Sequence, residues 1–166
     1  MRRLFVLAML VGGLILATTG AASAQTTDFN AKVLGHITRP SGGCPGGADL
    51  CGKAAIEGFG SAQYLFFVTS FEPTSEACGD YTATTTFTLG DGSTLTLDES
   101  GVVCGPDHSF LKGPLFTSYG NPRAFSASWE VQGATGQFAG MTGRGADTGL
   151  TAGAAFKATY RGTLEG

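Results

Sequence analysis

The sequence predicts an all-β protein, a single antiparallel barrel of about eight strands that follows an N-terminal signal peptide. Three stretches of the chain alternate in residue character with a period of two, which is typical of half-buried strands. After the first 24 residues no stretch shows a convincing helical period. Short glycine-rich segments separate the alternating stretches and suit tight turns. About eight strands are enough to close a small barrel.

The first segment of the chain has the features of a cleaved signal peptide. Arg2 and Arg3 precede an apolar run that ends at Ala17, and small residues then lead to Gln25. The alternative is an uncleaved membrane anchor, but the run is shorter than the roughly 20 residues that cross a bilayer. We therefore expect residues 1–24 to be removed and the mature chain to be secreted or retained in the cell envelope.

The mature chain is acidic and of single-domain size. Removing residues 1–24 takes away two of the ten basic residues and none of the thirteen acidic ones, which leaves a net charge of −5. Such a chain has no basic surface for nucleic acid or anionic lipid, so we expect neither partner and no stable membrane insertion. We divide it into residues 25–53, an N-terminal strand and a disulfide-stapled loop, and residues 54–166, the barrel domain.

The four cysteines, Cys44, Cys51, Cys78 and Cys104, all lie in the mature chain. An even number in an exported protein favours disulfides, and four cysteines allow three pairings. A four-thiolate zinc site is the alternative, but the spacing lacks the close Cys-x-x-Cys pairs that such sites favour. We therefore expect disulfides and no metal. Cys44 and Cys51 enclose a short flexible loop that could close on itself.

The alternating stretches locate the strands. The clearest alternation covers residues 81–89, 125–131 and 156–164, and further strands are predicted at 31–38, 54–60, 62–70, 93–104 and 136–148.

The pairing of the third and fourth cysteines follows from a predicted hairpin. Residues 89–93 read Leu-Gly-Asp-Gly-Ser, a tight-turn sequence. Placing Phe87 opposite Leu95 puts apolar residues on one face and a threonine ladder on the other. The same register places Cys78 opposite Cys104, which predicts a disulfide between them unless a bulge near Pro73 shifts the pairing.

Two irregular segments are predicted around the strands. Residues 133–143 place glycines around Phe138, which suits a corner of the barrel with Phe138 in the interior. Residues 105–122 form a long loop that contains the aromatic and imidazole side chains of His108, Phe110, Phe116 and Tyr119. This loop either caps one mouth of the barrel or, as we favour, is a surface connection whose aromatic rings pack onto the core.

The motif Gly-x-Thr-Gly-x-Phe-Ala-Gly-x-Thr-Gly at 133–143, followed by Ala-Thr-Tyr-x-Gly-Thr-Leu at 158–164, resembles the barrel shared by allene oxide cyclases and dirigent proteins. It is closer to small exported bacterial proteins with that barrel. The hairpin at 81–97 resembles their central hairpin, and the resemblance covers roughly residues 54–164. It implies a calycin-like, eight-stranded barrel and, for the plant enzymes, a cavity that guides cyclisation or radical coupling. No catalytic residue of those families is carried over to this chain.

Common catalytic motifs are not matched. Residues 47–54 approach a phosphate-binding loop, but Ala54 stands where serine or threonine must hold magnesium. His36 and His108 have no ligand or catalytic partner at a recognisable spacing, and no Gly-x-Ser-x-Gly nucleophile elbow occurs. We therefore expect no cofactor and assign no catalytic residue.

Glu99 is the one carboxylate that the predicted register places on the apolar face. A carboxylate there would need a partner or a raised pKa, which is how a general acid or base arises. The alternative, which we favour, is that the strand bends at 98–101 and Glu99 reaches solvent, because buried unpaired carboxylates are rare.

Three functions remain open. The first is a non-catalytic barrel that binds an apolar small molecule or an envelope partner, with Glu99, Trp129 and Tyr160 as candidate ligand-binding residues. The second is an isomerase or cyclase that works by shape, since such catalysis needs few recognisable residues. The third is a self-associating structural protein, favoured by the low charge and many glycines. The sequence favours the first, and it names neither a ligand nor an oligomeric state.

Overall fold

Eight antiparallel strands follow one another around a closed barrel, and β8 pairs with β1 to complete it. The structure is a computed structural model that describes residues 25–37, 43–105 and 122–166. The strands are β1 (Thr26–Ile37), β2 (Leu50–Ile56), β3 (Gly60–Pro73), β4 (Cys78–Leu89), β5 (Thr94–Cys104), β6 (Arg123–Ala134), β7 (Thr142–Ala152) and β8 (Ala155–Glu165). The predicted fold class, a single eight-stranded antiparallel barrel, is confirmed. The predicted signal peptide lies outside the described residues.

The barrel begins at the start of the described chain. β1 pairs with β2 on one side and with β8 on the other, so it is the strand that closes the ring. β2 begins at Leu50. The closed barrel therefore includes residues that the sequence analysis placed in a separate 25–53 segment.

The glycine-rich run at 133–143 is a corner, as predicted, but the strand after it is shorter than expected. Gly136–Phe138 form a single 3-10 turn, and β7 starts only at Thr142. The turn requires positive φ at Gly136 and at Gly140, 58° and 80°. Phe138 is fully buried and its ring lies 4.6 Å from that of Phe59, centroid to centroid. The prediction that Phe138 fills the interior is confirmed.

The predicted hairpin register is confirmed along its full length. Phe87 lies opposite Leu95, and the ladder continues without a shift until Cys78 lies opposite Cys104. A disulfide joins these two cysteines, and a second joins Cys44 to Cys51. The bulge considered near Pro73 does not interrupt this pairing; a shift occurs instead between β3 and β4, at Val68 and Ser70.

Large side chains of the interior fit because β7 presents glycines to them. Every second residue of β7 from Gly143 to Gly149 is a glycine, except Asp147. A Cβ at Gly145 would meet the indole ring of Trp129, and one at Gly149 would meet the ring of Phe125. The missing side chains therefore make room for these two rings.

The two ends of the barrel differ. The turn end, formed by residues 57–59, 90–93 and 135–141, has short connections and is filled by Phe59 and Phe138. The disulfide end, formed by residues 43–49, 74–77, 105 and 153–154, has both disulfides. Among the described residues, no helix is long and apolar enough to span a membrane.

Candidate functional site

Glu99 lies on the inner face of the barrel and is 3% exposed. It stands in the middle of β5, opposite Ala83 of β4 and Trp129 of β6. The expectation that the strand bends and brings Glu99 to solvent is wrong. The pairing of β5 with both neighbours continues through Gly101, so the two-residue alternation keeps Glu99 inside.

A chain of buried hydroxyl groups ends on the Glu99 carboxylate. The Tyr160 hydroxyl donates to Glu99 Oε1 at 3.0 Å. Tyr64 Oη lies 2.9 Å from Tyr160 Oη, and Thr85 Oγ1 lies 3.4 Å from it. Tyr160 has one hydroxyl proton and donates it to Glu99. The Tyr64 hydroxyl is therefore the donor in its hydrogen bond with Tyr160. The network links strands β3, β4, β5 and β8 across the barrel.

Asp147 is a second buried carboxyl group, and the sequence analysis missed it. It is 1% exposed and lies opposite Tyr160 in the β7–β8 ladder. Neither of its carboxylate oxygens has a hydrogen-bond partner among the described residues. The signal that could have found it is the alternation Gly143-x-Gly145-x-Asp147-x-Gly149, which places Asp147 on the same face as three glycines that have no side chain to compete with it.

Further polar atoms of the interior lack partners. Within the described residues, Glu99 Oε2, Tyr81 Oη and Trp129 Nε1 are buried without a hydrogen bond. Buried polar groups in folded proteins are almost always satisfied by protein or by water. These atoms and the Asp147 carboxyl group are therefore the buried polar groups of the interior that still need a hydrogen-bond partner. We call Glu99, Asp147, Tyr81 and Tyr160 the interior polar cluster.

Burial shifts the pKa values of the interior polar cluster upward. Burial raises the pKa of Glu99 to about 7, against hydrogen bonds from Thr85 and Tyr160 that lower it. Burial and, second, the nearby charge of Glu99 raise the pKa of Asp147 to about 9. Burial also raises the pKa of Tyr81 and Tyr160, so both remain phenols. Burial thus favours the protonated form of both carboxyl groups, and more strongly at Asp147 than at Glu99.

Trp129 and the neighbouring rings form an apolar wall beside this cluster. The Trp129 side chain is 1% exposed and meets Phe29 edge to face, with centroids 5.3 Å apart. Phe87 packs against Tyr160 at 5.3 Å in the same manner. The structure thus brings the three candidate ligand-binding residues, Glu99, Trp129 and Tyr160, to one interior region. Their role in binding stays a prediction.

A groove runs over the outer face of β4, β5 and β6, on the opposite side of the sheet from Glu99 and Trp129. It has a volume of about 770 Å³ and is lined by exposed side chains such as Thr82, Asp98 and Ser128. Glu99 and Trp129 also border it. Because neighbouring residues of a strand point to opposite faces, this groove meets their backbone and not their buried side chains. It is separate from the interior polar cluster.

The remaining sequence candidates lie at the disulfide end or outside the described residues. The segment resembling a phosphate-binding loop continues into β2, so Lys53 belongs to a strand and no loop-to-helix cradle forms there. His36 does lie close to another side chain that can coordinate metals, since its Nε2 atom is 3.3 Å from Cys51 Sγ. His108, Phe110, Phe116 and Tyr119 lie outside the described residues, so neither interpretation of their loop is tested.

Comparison with known proteins found no matching family model, no similar curated protein and no similar solved structure. The eight-stranded antiparallel barrel is compatible with the allene oxide cyclase and dirigent type of fold. The family itself therefore stays a prediction from the sequence motifs.

Proposed function

We propose that this chain is an exported barrel that binds a small molecule in its interior, with an apolar body against the aromatic wall and a hydrogen-bonding group at the interior polar cluster. The observation that carries the proposal is the Asp147 carboxyl group, which is 1% exposed and has both oxygens unpartnered among the described residues. A ligand group that accepts the Asp147 acid proton and donates to its carbonyl oxygen would supply the hydrogen bonds that this buried group lacks.

Export is supported by two features of different kinds. The start of the chain has the pattern of a cleaved signal peptide. Both disulfides fit an oxidising compartment outside the cytosol. The mature protein recovered from the culture medium should begin near Gln25, which the intact mass will show.

Native mass spectrometry of that secreted protein tests the binding function. We expect the natural chain to retain a small molecule that dissociates on collisional activation. Asp147→Asn keeps the shape of the side chain but removes its acid proton, and we expect the retained fraction to fall about tenfold, in line with the loss of one buried hydrogen bond. Asp98→Asn is the matched control, because Asp98 is an exposed carboxylate next to Glu99 on the same strand. A natural chain without any bound molecule contradicts the proposal.

The second candidate function is a shape-directed isomerase or cyclase, as the resemblance to allene oxide cyclases and dirigent proteins implies. The observation that favours it is the pair of buried carboxyl groups with pKa values of about 7 and about 9. In such a reaction the Glu99 carboxylate takes a proton from the bound molecule, and the Asp147 acid returns one at another atom. Incubating the retained molecule with the barrel in D₂O should then introduce deuterium at a carbon atom of that molecule, whereas a purely binding protein introduces none. Glu99→Gln should abolish the exchange.

A self-associating structural role has less support. Association through strand edges needs unpaired edges, and the barrel is closed with every described strand paired on both sides.

A further inference from the structure

His36 and the first disulfide meet on the outer wall at the disulfide end. His36 is the penultimate residue of β1 and lies directly opposite Cys51 of β2. Its Nε2 atom is 3.3 Å from Cys51 Sγ. The ligand atoms of His36, Cys44 and Cys51 all lie within 4.8 Å of one another. One nitrogen and two sulfur atoms therefore lie close together, with His36 exposed and both cysteines buried beneath the surface.

The fold holds both sulfur atoms in place independently of the bond between them. Cys51 is the second residue of β2 and is paired with His36 of β1 on one side and Leu65 of β3 on the other. Cys44 is held by the 3-10 turn Pro45–Gly47 and by the packing of Ala48, which is 2% exposed.

Asp49 then fastens this loop to β3. Its carboxylate accepts the Val68 N–H at 2.8 Å, and its own N–H donates to the Phe66 carbonyl at 2.9 Å. These contacts do not involve sulfur, so breaking the disulfide leaves the two thiols next to His36.

We propose that the reduced protein binds a thiophilic metal ion, Zn²⁺ or Cu⁺, through His36, Cys44 and Cys51. A dithiol reductant breaks the Cys44–Cys51 bond, is itself oxidised to a disulfide and leaves two thiols. The metal ion then displaces the two thiol protons, which pass to solvent. Two thiolates and one imidazole are the ligands that these soft ions prefer. In the oxidised protein the sulfur atoms are bonded to each other, so the site is closed.

The distances suit a tetrahedral ion. Standard Zn–S and Zn–N bond lengths place two sulfur ligands about 3.8 Å apart and sulfur and nitrogen about 3.6 Å apart. The His36–Cys51 separation is already 3.3 Å. Three protein ligands leave the fourth position open for water or an outside ligand. The site does not depend on the interior polar cluster or on the binding function proposed for it.

Cobalt titration of the mature chain tests the proposal. Co²⁺ is used as the probe because thiolate ligation gives a charge-transfer absorption band that histidine and carboxylate ligation do not. We expect the reduced chain to bind one Co²⁺ with this band and the oxidised chain to show no band. Adding Zn²⁺ should bleach it. Cys44→Ser and Cys51→Ser should each weaken binding strongly, and His36→Gln should weaken it by about tenfold or more, at least as much as the loss of a supporting partner does.

The double variant Cys78→Ser/Cys104→Ser is the matched control. It removes two sulfur atoms from the same end of the barrel and keeps all three proposed ligands, so its band should persist. Fluorescence of Trp129, the single tryptophan, reports whether each chain is folded. Absence of the band in the reduced natural chain overturns the proposal. A band that is insensitive to His36→Gln also overturns it, because an unfolded chain that binds through any thiols would behave in that way. A band that is lost in the control overturns it as well, because the metal ligands would then be Cys78 and Cys104.

Discussion

At the scale of single residues, Glu99 should make the barrel less stable as the pH rises. The folded chain keeps the Glu99 proton up to about pH 7, whereas the ordinary pKa of the side chain is 4.5. Its stabilising contribution is therefore complete below pH 4.5 and is lost as the pH passes 7. Between these values the folded chain binds one proton more at Glu99 than the unfolded chain does. The free energy of unfolding therefore falls by about 1.4 kcal/mol for each pH unit. Glu99→Gln should reduce the slope in this range to the part that Asp147 contributes, measured by chemical denaturation.

The slope that remains in Glu99→Gln belongs to Asp147, whose pKa is also raised, to about 9. It should persist towards alkaline pH and disappear in the double variant with Asp147→Asn. Asp98→Asn is the control, because this neighbouring side chain is exposed and its loss should leave the slope intact. If Glu99→Gln and the natural chain follow the same pH profile, Glu99 is not the buried titrating group.

Sequence reasoning at this scale placed Glu99 on the inner face but misjudged its burial. Alternation gives the face, whereas burial depends on Tyr160 donating to the carboxylate, and that contact joins residues 61 positions apart. Asp147 was missed because its neighbours on the inner face are glycines, so β7 has no hydrophobic alternation to reveal a strand face. The site could be predicted where one strand pattern sufficed, and not where it needed pairing between distant strands.

At the scale of elements, β7 is a strand whose inner face is shaped by missing side chains. In Gly145→Ala the new Cβ would meet the Arg161 carbonyl oxygen and the Trp129 indole ring. Backbone cannot yield as a flexible side-chain end can, so we expect the free energy of unfolding to fall by about 1–3 kcal/mol, the usual cost of overpacking. Chemical denaturation followed by Trp129 fluorescence measures both the stability and the displaced ring.

Gly133→Ala is the matched control in the neighbouring strand β6. Its Cβ would lie 4.0 Å from Thr96 Cβ, an ordinary contact, and its φ is not positive. A change within about 0.5 kcal/mol is expected, as for most surface substitutions. Equal losses of stability in the two alanine variants would show that the β7 glycines are not needed for packing.

The two disulfides should differ in how much they stabilise these elements. Cys78–Cys104 closes a sequence separation of 26 residues and Cys44–Cys51 one of 7. Chain entropy then gives roughly 3.5 kcal/mol for the longer loop and roughly 2.5 kcal/mol for the shorter. Paired serine variants, compared by denaturant midpoints, should show the larger loss for Cys78 and Cys104. Non-reducing peptide mapping that links Cys78 to Cys44 or Cys51 would contradict the pairing itself.

At the scale of the whole molecule, the sequence predicted the number of strands better than the extent of the barrel. Local alternation and turn chemistry locate a strand and its hairpin partner, and the β4–β5 register followed from them. Closure depends on the pairing of β1 with β8, in which Ala31 lies opposite Tyr160. No local pattern reports such a distant pairing, so alternation alone does not show that β1 closes the barrel.

A fragment of residues 54–166 should therefore fail to fold. It lacks β1, which supplies the partner of both β2 and β8 and the buried side chains of Phe29, Ala31 and Val33. Without β1 the sheet has two open edges and an exposed interior, and both favour aggregation. We expect the fragment to show no cooperative unfolding transition, whereas residues 25–166 under the same oxidising conditions show one. Trp129, buried in the full barrel, reports on both chains. A soluble fragment with a cooperative transition and a buried tryptophan would mean that the strands after residue 54 can close a barrel by themselves.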